Sequence, residues 1–235
     1  MKTNNNQSCD NWKIAVIIPA LNEELAIGSV ITEIPGYVDK IIVVDNGSTD
    51  RTTEKAKEAG AEVVFESRTG YGYACMKGIK QAINHNLLVF LDGDYSDFPE
   101  DIAKLVEPIM AGTADLVLGS RIRGEREKGS MFPQSIIANM AFSIALRILC
   151  GLRITDIGPF RAIRYDQLVL LGMEDVTYGW TLEMMIKSKK KHLRIAEVPV
   201  NYRKRLGKSK ISGSFWASIK AATKMVYTFR YIFKT

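Results

Sequence analysis

Cysteine is scarce in this chain: three in 235 residues, Cys9, Cys75 and Cys150, odd in number and far apart. That pattern excludes a disulfide framework and a thiolate metal site, and it leads us to expect a reducing, cytoplasmic compartment. Residues 1–11 are polar and lack the apolar core of a secretory leader. No apolar run reaches membrane-spanning length, because the longest candidate, 136–149, is broken by Asn139 and Arg147. The turn after the first apolar run, Pro19 to Glu23, is not glycine-rich. Gly70 and Gly72 begin a dinucleotide fingerprint that ends on Cys75 instead of a third glycine. Both features argue against NAD or FAD. There is neither an internal repeat nor a low-complexity segment.

Charge of either sign is present, but unevenly. The net charge is +6. Residues 187–235 hold fourteen Lys/Arg against the single acid Glu197, giving +13, so the first 186 residues carry −7. A basic tail on an acidic body suits a polyanionic neighbour: phosphate groups, an anionic membrane surface or nucleic acid. The aromatics of the tail (Phe215, Trp216, Tyr227, Phe229) follow helical spacing and not a stacking platform, which weighs against nucleic acid.

Short apolar runs at 13–18, 41–44, 61–65, 87–91 and 115–119 read as buried strands. Between them lie helical patterns: one from Asn22 or Glu23 with Ile27, Val30, Ile31 and Ile34 on one face, one capped by Ser48 or Asp50 and closed by Gly60, one over 73–84, and one over 102–111. This alternation predicts an α/β fold with a parallel sheet and right-handed crossovers. Beyond Ser120 the pattern changes: a charged loop at 121–134, an apolar helix at 134–150, an irregular stretch at 155–164, an amphipathic helix at 178–190, a strand at 193–202 and a basic loop at 203–213. The last segment sets Phe215, Ile219, Ala222, Val226, Phe229 and Phe233 at steps of four and three. The expected organisation is a disordered arm (1–12), a catalytic domain (13–210, with halves 13–120 and 121–210) and an amphipathic C-terminal helix (211–235).

The strand ends are polar: Asn22 and Glu23, Asp45 and Asn46, Arg68 to Gly72, Asp92 to Asp94, and Ser120 with Arg121. In an open parallel sheet such ends gather along one edge, where ligands bind. The stretch 87–100, LLVFLDGDYSDFPE, is the most telling. An apolar strand delivers Asp92 and Asp94, Gly93 permits the turn between them, and Asp97 caps a helix whose start carries Pro99 and Glu100. Two acids without a base beside them suit a hard divalent cation held through oxygen. A phosphatase with a nucleophilic aspartate would need the pair after the first strand, not the fourth.

Taken in series, IAVIIPALNEE (14–24), IIVVDNGSTDRT (41–52), GYGYACMKGI (70–79), VFLDGDYSDFPEDI (89–102), LVLGSR (116–121) and TDIGPFRAI (155–163) resemble the inverting family-two glycosyltransferases. Among them the dolichol- and polyprenyl-phosphate sugar synthases are the most similar. The resemblance implies a GT-A-type, Rossmann-like fold with a mostly parallel sheet flanked by helices, a nucleotide-sugar donor, a lipid-phosphate or other lipid acceptor and a Mg or Mn cofactor. It implies that Pro19, Ala20, Asn22 and Glu23 line the nucleotide pocket and that Asp45 contacts the base, with Asn46 and Gly47 beside it. Gly72 lets the backbone approach the nucleotide, and Asp92, Gly93 and Asp94 form the D-x-D element that holds the metal. Arg121 faces the acceptor, while Asp156, Arg161 and Glu183 close its pocket; Asp156 and Glu183 are the base candidates for a hydroxyl acceptor. Arg203, Arg205, Lys208 and Lys210 form a basic loop over the diphosphate.

The chain departs from that group at Ser96, where the synthases carry a metal-assisting glutamine. At 131–134 it reads Met-Phe-Pro-Gln, where they place a second acceptor arginine. The helix at 215–234 is expected to lie on an anionic membrane surface or to pack on the domain or a second copy in a homodimer. The rival readings are transfer to a hydroxyl, and a nucleotide-sugar-binding module that does not transfer.

Overall fold

The computed structural model describes residues 12–207. The arm at 1–11, Lys208, Lys210 and the helix expected at 211–235 lie outside the described residues.

Seven strands form one sheet: β1 (Ile14–Ala20), β2 (Lys40–Asp45), β3 (Glu62–Phe65), β4 (Leu87–Phe90), β5 (Leu116–Ser120), β6 (Arg161–Arg164) and β7 (Ile195–Pro199). Their order is β3-β2-β1-β4-β6-β5-β7. The left side is parallel throughout, with β1 paired to β2 and β4 and β2 to β3. The side chains of β4 are all buried, as its apolar run predicts for a strand covered on both faces.

The helices are α1 (Ile27–Thr32), α2 (Thr52–Glu58), α3 (Tyr71–Gln81), α4 (Ile102–Met110), α5 (Pro133–Cys150), α6 (Tyr165–Leu171) and α7 (Trp180–Lys190). One apolar core, with Ile17, Val44, Phe90 and Trp180, lies under α3 and α7. The other, with Val16, Ile18, Val89 and Leu105, lies under α1 and α4. Ile27, Val30 and Ile31 of α1 are buried as their spacing requires.

Two elements correct the sequence reading. The stretch expected to be irregular contains β6, which runs antiparallel between β4 and β5. The charged ends of its sequence, Arg-Ala-Ile-Arg, mask it. The sheet is thus mostly parallel and flanked by helices, as expected for a GT-A-type fold. Helix α6 follows directly and was also unanticipated. A further correction concerns α5. It runs 18 residues at a mean hydropathy of 1.3, which is long and apolar enough to cross a membrane. Asn139 and Arg147 do not break it.

Candidate active site

A cleft of about 440 Å³ opens along the carboxyl ends of β1, β2, β4 and β5, as a sheet of this type predicts. Of the anticipated residues, Pro19, Ala20, Glu23, Asn46, Asp92, Gly93, Asp94, Arg121 and Arg205 line it. Its far wall is Phe132, just before α5, and the inner face of α5 with Ala138 and Phe142, and Tyr71 also lines it.

The β4 end holds the acids. Among the described residues no hydrogen bond or ion pair engages the Asp92 carboxylate. Burial, followed by the Asp94 charge, pushes its pKa up to about 7, against the opposing pull of Arg121 and Arg205. Asp94 is buried; its Oδ1 accepts from Ser96 N at 3.0 Å and Ser96 Oγ at 2.5 Å, and its Oδ2 meets Arg205 Nη1 at 3.1 Å. Ser96 thus fixes Asp94 and is not among the residues lining the cleft. The positive φ of this turn falls on Tyr95 (+68°), not on Gly93 as expected.

Asp97 does not cap the helix either. It is 2% exposed, and neither carboxylate oxygen has a partner among the described residues. Burial and the charges of Asp92 and Asp94 push its pKa well up. The helix opens instead through a single 3-10 turn, Pro99–Asp101.

A set of two carboxylates fits a divalent cation that takes its remaining oxygens from substrate phosphates and water. Among the described residues no group of three or more acidic, His or Cys side chains could hold a metal alone. The positive charge now standing against Asp94 is the Arg205 guanidinium, which also reaches Glu23 Oε1 at 3.0 Å.

The loops of β1 and β2 are braced by their own polar groups. Asp45 accepts from Gly47 N, Ser48 N and Thr53 Oγ1 at 3.2, 2.7 and 2.5 Å. It closes its loop and is not among the lining residues. Asn46 Nδ2 donates to the Glu66 and Arg68 carbonyls, and its Oδ1 accepts from Gly70 N at 2.8 Å. Asn22, at φ +50°, accepts from Thr49 N at 2.8 Å. Asn22 and Gly47 therefore shape the rim rather than line the cleft.

Gly72 is required for a reason other than the expected one. A Cβ there would sit 2.1 Å from the Asp175 carbonyl oxygen. The backbone it admits on the Cβ side is the chain's own segment at 175–176.

Arg121 grips Asp156 through Nε and Nη2 at 2.8 and 2.7 Å, and its backbone N–H adds a third bond at 2.8 Å. The fork and two backbone N–H groups hold the buried Asp156 carboxyl below its usual range, although desolvation, the largest single influence, opposes them. Arg121 Nη1 makes no hydrogen bond among the described residues, and the side chain faces the cleft.

The structure puts several anticipated acceptor residues elsewhere. Asp156 lies behind Arg121. Glu183 accepts from Glu174 N and Asp175 N at 2.9 and 2.7 Å and pairs with Lys187 at 2.8 Å, so it ties down the strap that Gly72 packs against. Arg161 is fully buried and donates to the carbonyls of Gly158, Pro159 and Thr181. Burial lowers its pKa to about 10. Arg203 stacks 3.3 Å over the Tyr95 ring and pairs with Glu33 at 2.6 Å. It pins 200–206 across the turn after β4, leaving Arg205 as the described arginine of that loop that reaches the cleft.

Sequence reasoning missed Tyr71, Phe142, Tyr178, Thr181 and Tyr202, which line the cleft from helices and loops. It also missed the part played by Asn139. This residue donates to the Thr155 carbonyl at 3.0 Å and accepts from Ile157 N at 2.9 Å, fixing the loop that carries Asp156. A lone amide in an apolar helix was its signal.

The comparisons with known proteins agree with this fold. Glycosyl transferase family 2 matches residues 15–169. An uncharacterised glycosyltransferase of Mycobacterium tuberculosis is 37% identical over 88% of this chain and 94% of its own length. The undecaprenyl-phosphate mannosyltransferase of Micrococcus luteus is 32% identical over 86% and 88%. The crystal structure of glucosyl-3-phosphoglycerate synthase from M. tuberculosis with Mn2+, UDP-glucose and phosphoglyceric acid superposes with a TM-score of 0.75. It is 26% identical, with 93% of this chain and 79% of that one covered. The chain is a glycosyltransferase of the GT-A fold and belongs to glycosyl transferase family 2.

Proposed function

We propose that this enzyme moves a sugar, with inversion, from a UDP- or GDP-linked donor to the phosphate of a polyprenyl or other lipid. The reaction would take place at an anionic membrane surface on the cytoplasmic side. Family membership and the M. tuberculosis synthase bound to Mn2+ and UDP-glucose support the nucleotide-sugar donor and the divalent cofactor. The M. luteus undecaprenyl-phosphate mannosyltransferase supports the acceptor class.

The observation that carries the acceptor reading is that, once Asp92 and Asp94 are given to the cation, no acid lining the cleft among the described residues is left free to act as a base. The acids lining the cleft among the described residues are Glu23, Asp92 and Asp94. Glu23 and Asp94 pair with Arg205, and Asp92 and Asp94 belong to the cation. Asp156 is locked to Arg121, and Glu183 is locked to backbone amides behind the wall. A hydroxyl acceptor needs a group to take its proton, whereas a phosphate is already anionic and attacks without one.

Asp92 and Asp94 hold the metal, which when bound neutralises the charge gathering on the departing diphosphate. The Nη1 of Arg121 meets the acceptor phosphate, and Asp156 keeps that guanidinium aimed. The far wall of Phe132, Ala138 and Phe142 receives the first apolar units of the lipid.

The test is a transfer assay with labelled UDP- and GDP-sugars, Mn2+, and either undecaprenyl phosphate or 3-phosphoglycerate as acceptor. Label moving into the lipid phase supports the proposal. Label moving only to phosphoglycerate, or donor binding with no transfer to either, overturns it.

A further inference from the structure

We infer that the outer face of α5 is the surface by which the enzyme docks on an anionic membrane, lying flat in the headgroup layer. The inference rests on the membrane part of the reading above and names the surface that performs it.

Ile137, Met140, Ile144 and Ile148 recur at helical spacing along α5 and are 62, 58, 51 and 75% exposed. A row of four large apolar side chains left in water calls for a covering partner. The opposite face of the same helix lines the cleft with Gln134, Ser135, Ala138, Asn139 and Phe142. A helix that walls the charged catalytic cleft, with Asp92, Asp94, Arg121 and Arg205 in it, cannot be encased in hydrocarbon. Its length therefore serves a flat orientation, not a crossing.

Charge selects among three possible coverings: a second copy, the chain's own tail, or lipid. Residues 128–155 contain no Asp or Glu. Arg147 is exposed on the helix, Lys189 and Lys190 lie close enough to Cys150 to act on its thiol, and Arg126 reaches Met131 Sδ at 3.5 Å at the other end. A symmetric second copy would set these cations against themselves. The tail at 208–235 carries six Lys/Arg and no acid, so it would be repelled as well. A bilayer containing acidic lipids meets both demands, taking the isoleucines among its acyl chains and the cations among its headgroups.

The test uses the full chain and vesicles of phosphatidylcholine with and without phosphatidylglycerol, free of donor and acceptor. Ile137→Ser, Ile144→Ser and Ile148→Ser are combined in one variant. All three side chains are exposed, so its melting temperature should match the wild type. Its binding to acidic vesicles is expected to fall about tenfold or more. A second variant, Phe215→Ser with Phe229→Ser and Phe233→Ser, should lose less. In a Cys9→Ser, Cys150→Ser background, an environment-sensitive dye on Met140→Cys should shift to the blue with acidic vesicles. Unchanged binding of the α5 variant, or a dye that stays in water, overturns the inference while leaving membrane attachment intact. Wild-type protein that fails to bind, or that light scattering shows to be a dimer undone by the α5 substitutions, overturns both.

Discussion

Arg121 and Asp156 form a two-pronged ion pair, Nε to Oδ2 at 2.8 Å and Nη2 to Oδ1 at 2.7 Å, with the carboxylate fully buried. Replacing Arg121 by Ala strands a charge in the interior, so the variant should be less stable by about 3 kcal/mol or more at neutral pH. The folded protein holds Asp156 below its usual pKa. Its contribution is therefore present above the unfolded carboxylate value and is lost as pH falls through the lowered one. Urea titrations across the acid range should show wild type and Arg121→Ala converging as pH drops. Arg121→Lys keeps the charge but loses the fork, so it should fold better than Arg121→Ala and still transfer poorly to a phosphate acceptor. Full activity in Arg121→Lys would exclude a role for the fork.

Gly72 meets the Asp175 carbonyl so closely that even a methyl group cannot enter without moving backbone. Gly72→Ala should cost about 1–3 kcal/mol, seen as a lower melting temperature. The damage should pass through the 172–176 strap to Tyr73, whose N–H bonds the Val176 carbonyl at 3.3 Å. If Gly72 served the nucleotide directly, the variant would melt normally and lose only donor affinity. The two outcomes are separable by calorimetry beside a UDP titration.

These two sites show what a chain discloses before it is folded. The apolar runs, the alternation at 193–202 and the punctuation between them disclosed six of the seven strands and the acid-bearing edge, because period and turn chemistry are local properties. Strand β6 stayed hidden. Arg161 is held by the carbonyls of Gly158 and Thr181, contacts made only once α7 is packed beside it. Glu183 looked like a cleft acid because nothing near it in sequence announces that it will cap the amides of Glu174 and Asp175. The cations of the 203–205 stretch looked equivalent. The aromatic rings of Tyr95 and Phe98, about a hundred residues away, take Arg203 out of the cleft and leave Arg205 in it.

Arg205 is the one of these that would compete with a metal held by Asp92 and Asp94. Its guanidinium spans Asp94 and Glu23, the former a proposed metal carboxylate. The Arg205 side chain is 25% exposed and the Glu23 and Asp94 side chains 9% and 11%, so solvent screens the pairs only in part and they contribute about 1 kcal/mol. Arg205→Gln should accordingly raise Mn2+ affinity without nucleotide by up to about fivefold. With UDP present the order should reverse, since the guanidinium is then free to meet the diphosphate. Mn2+ titrations by electron paramagnetic resonance, with and without UDP, read both halves. Equal affinity in wild type and variant under both conditions would remove Arg205 from the site.

Asp92 sets the pH dependence. Its metal-free pKa of about 7 lies far above that of an unfolded aspartate. The folded state therefore holds a proton that the unfolded state has released. The stability tied to it is fully present below about pH 4 and is gone as pH rises through about 7. A divalent cation needs the ionised carboxylate, so binding must expel that proton wherever Asp92 is still protonated. Mn2+ affinity should climb with pH up to about 7 and then level off. Calorimetry in two buffers of different ionisation enthalpy should find close to one proton released per ion at about pH 6 and little at about pH 8. Asp92→Asn should remove both the proton release and the decline in metal-free stability between those limits. Its metal-free fold should persist at neutral pH, because the substitution takes away a destabilising buried charge. A variant that binds Mn2+ with undiminished proton release would place the titrating group, and the metal, elsewhere.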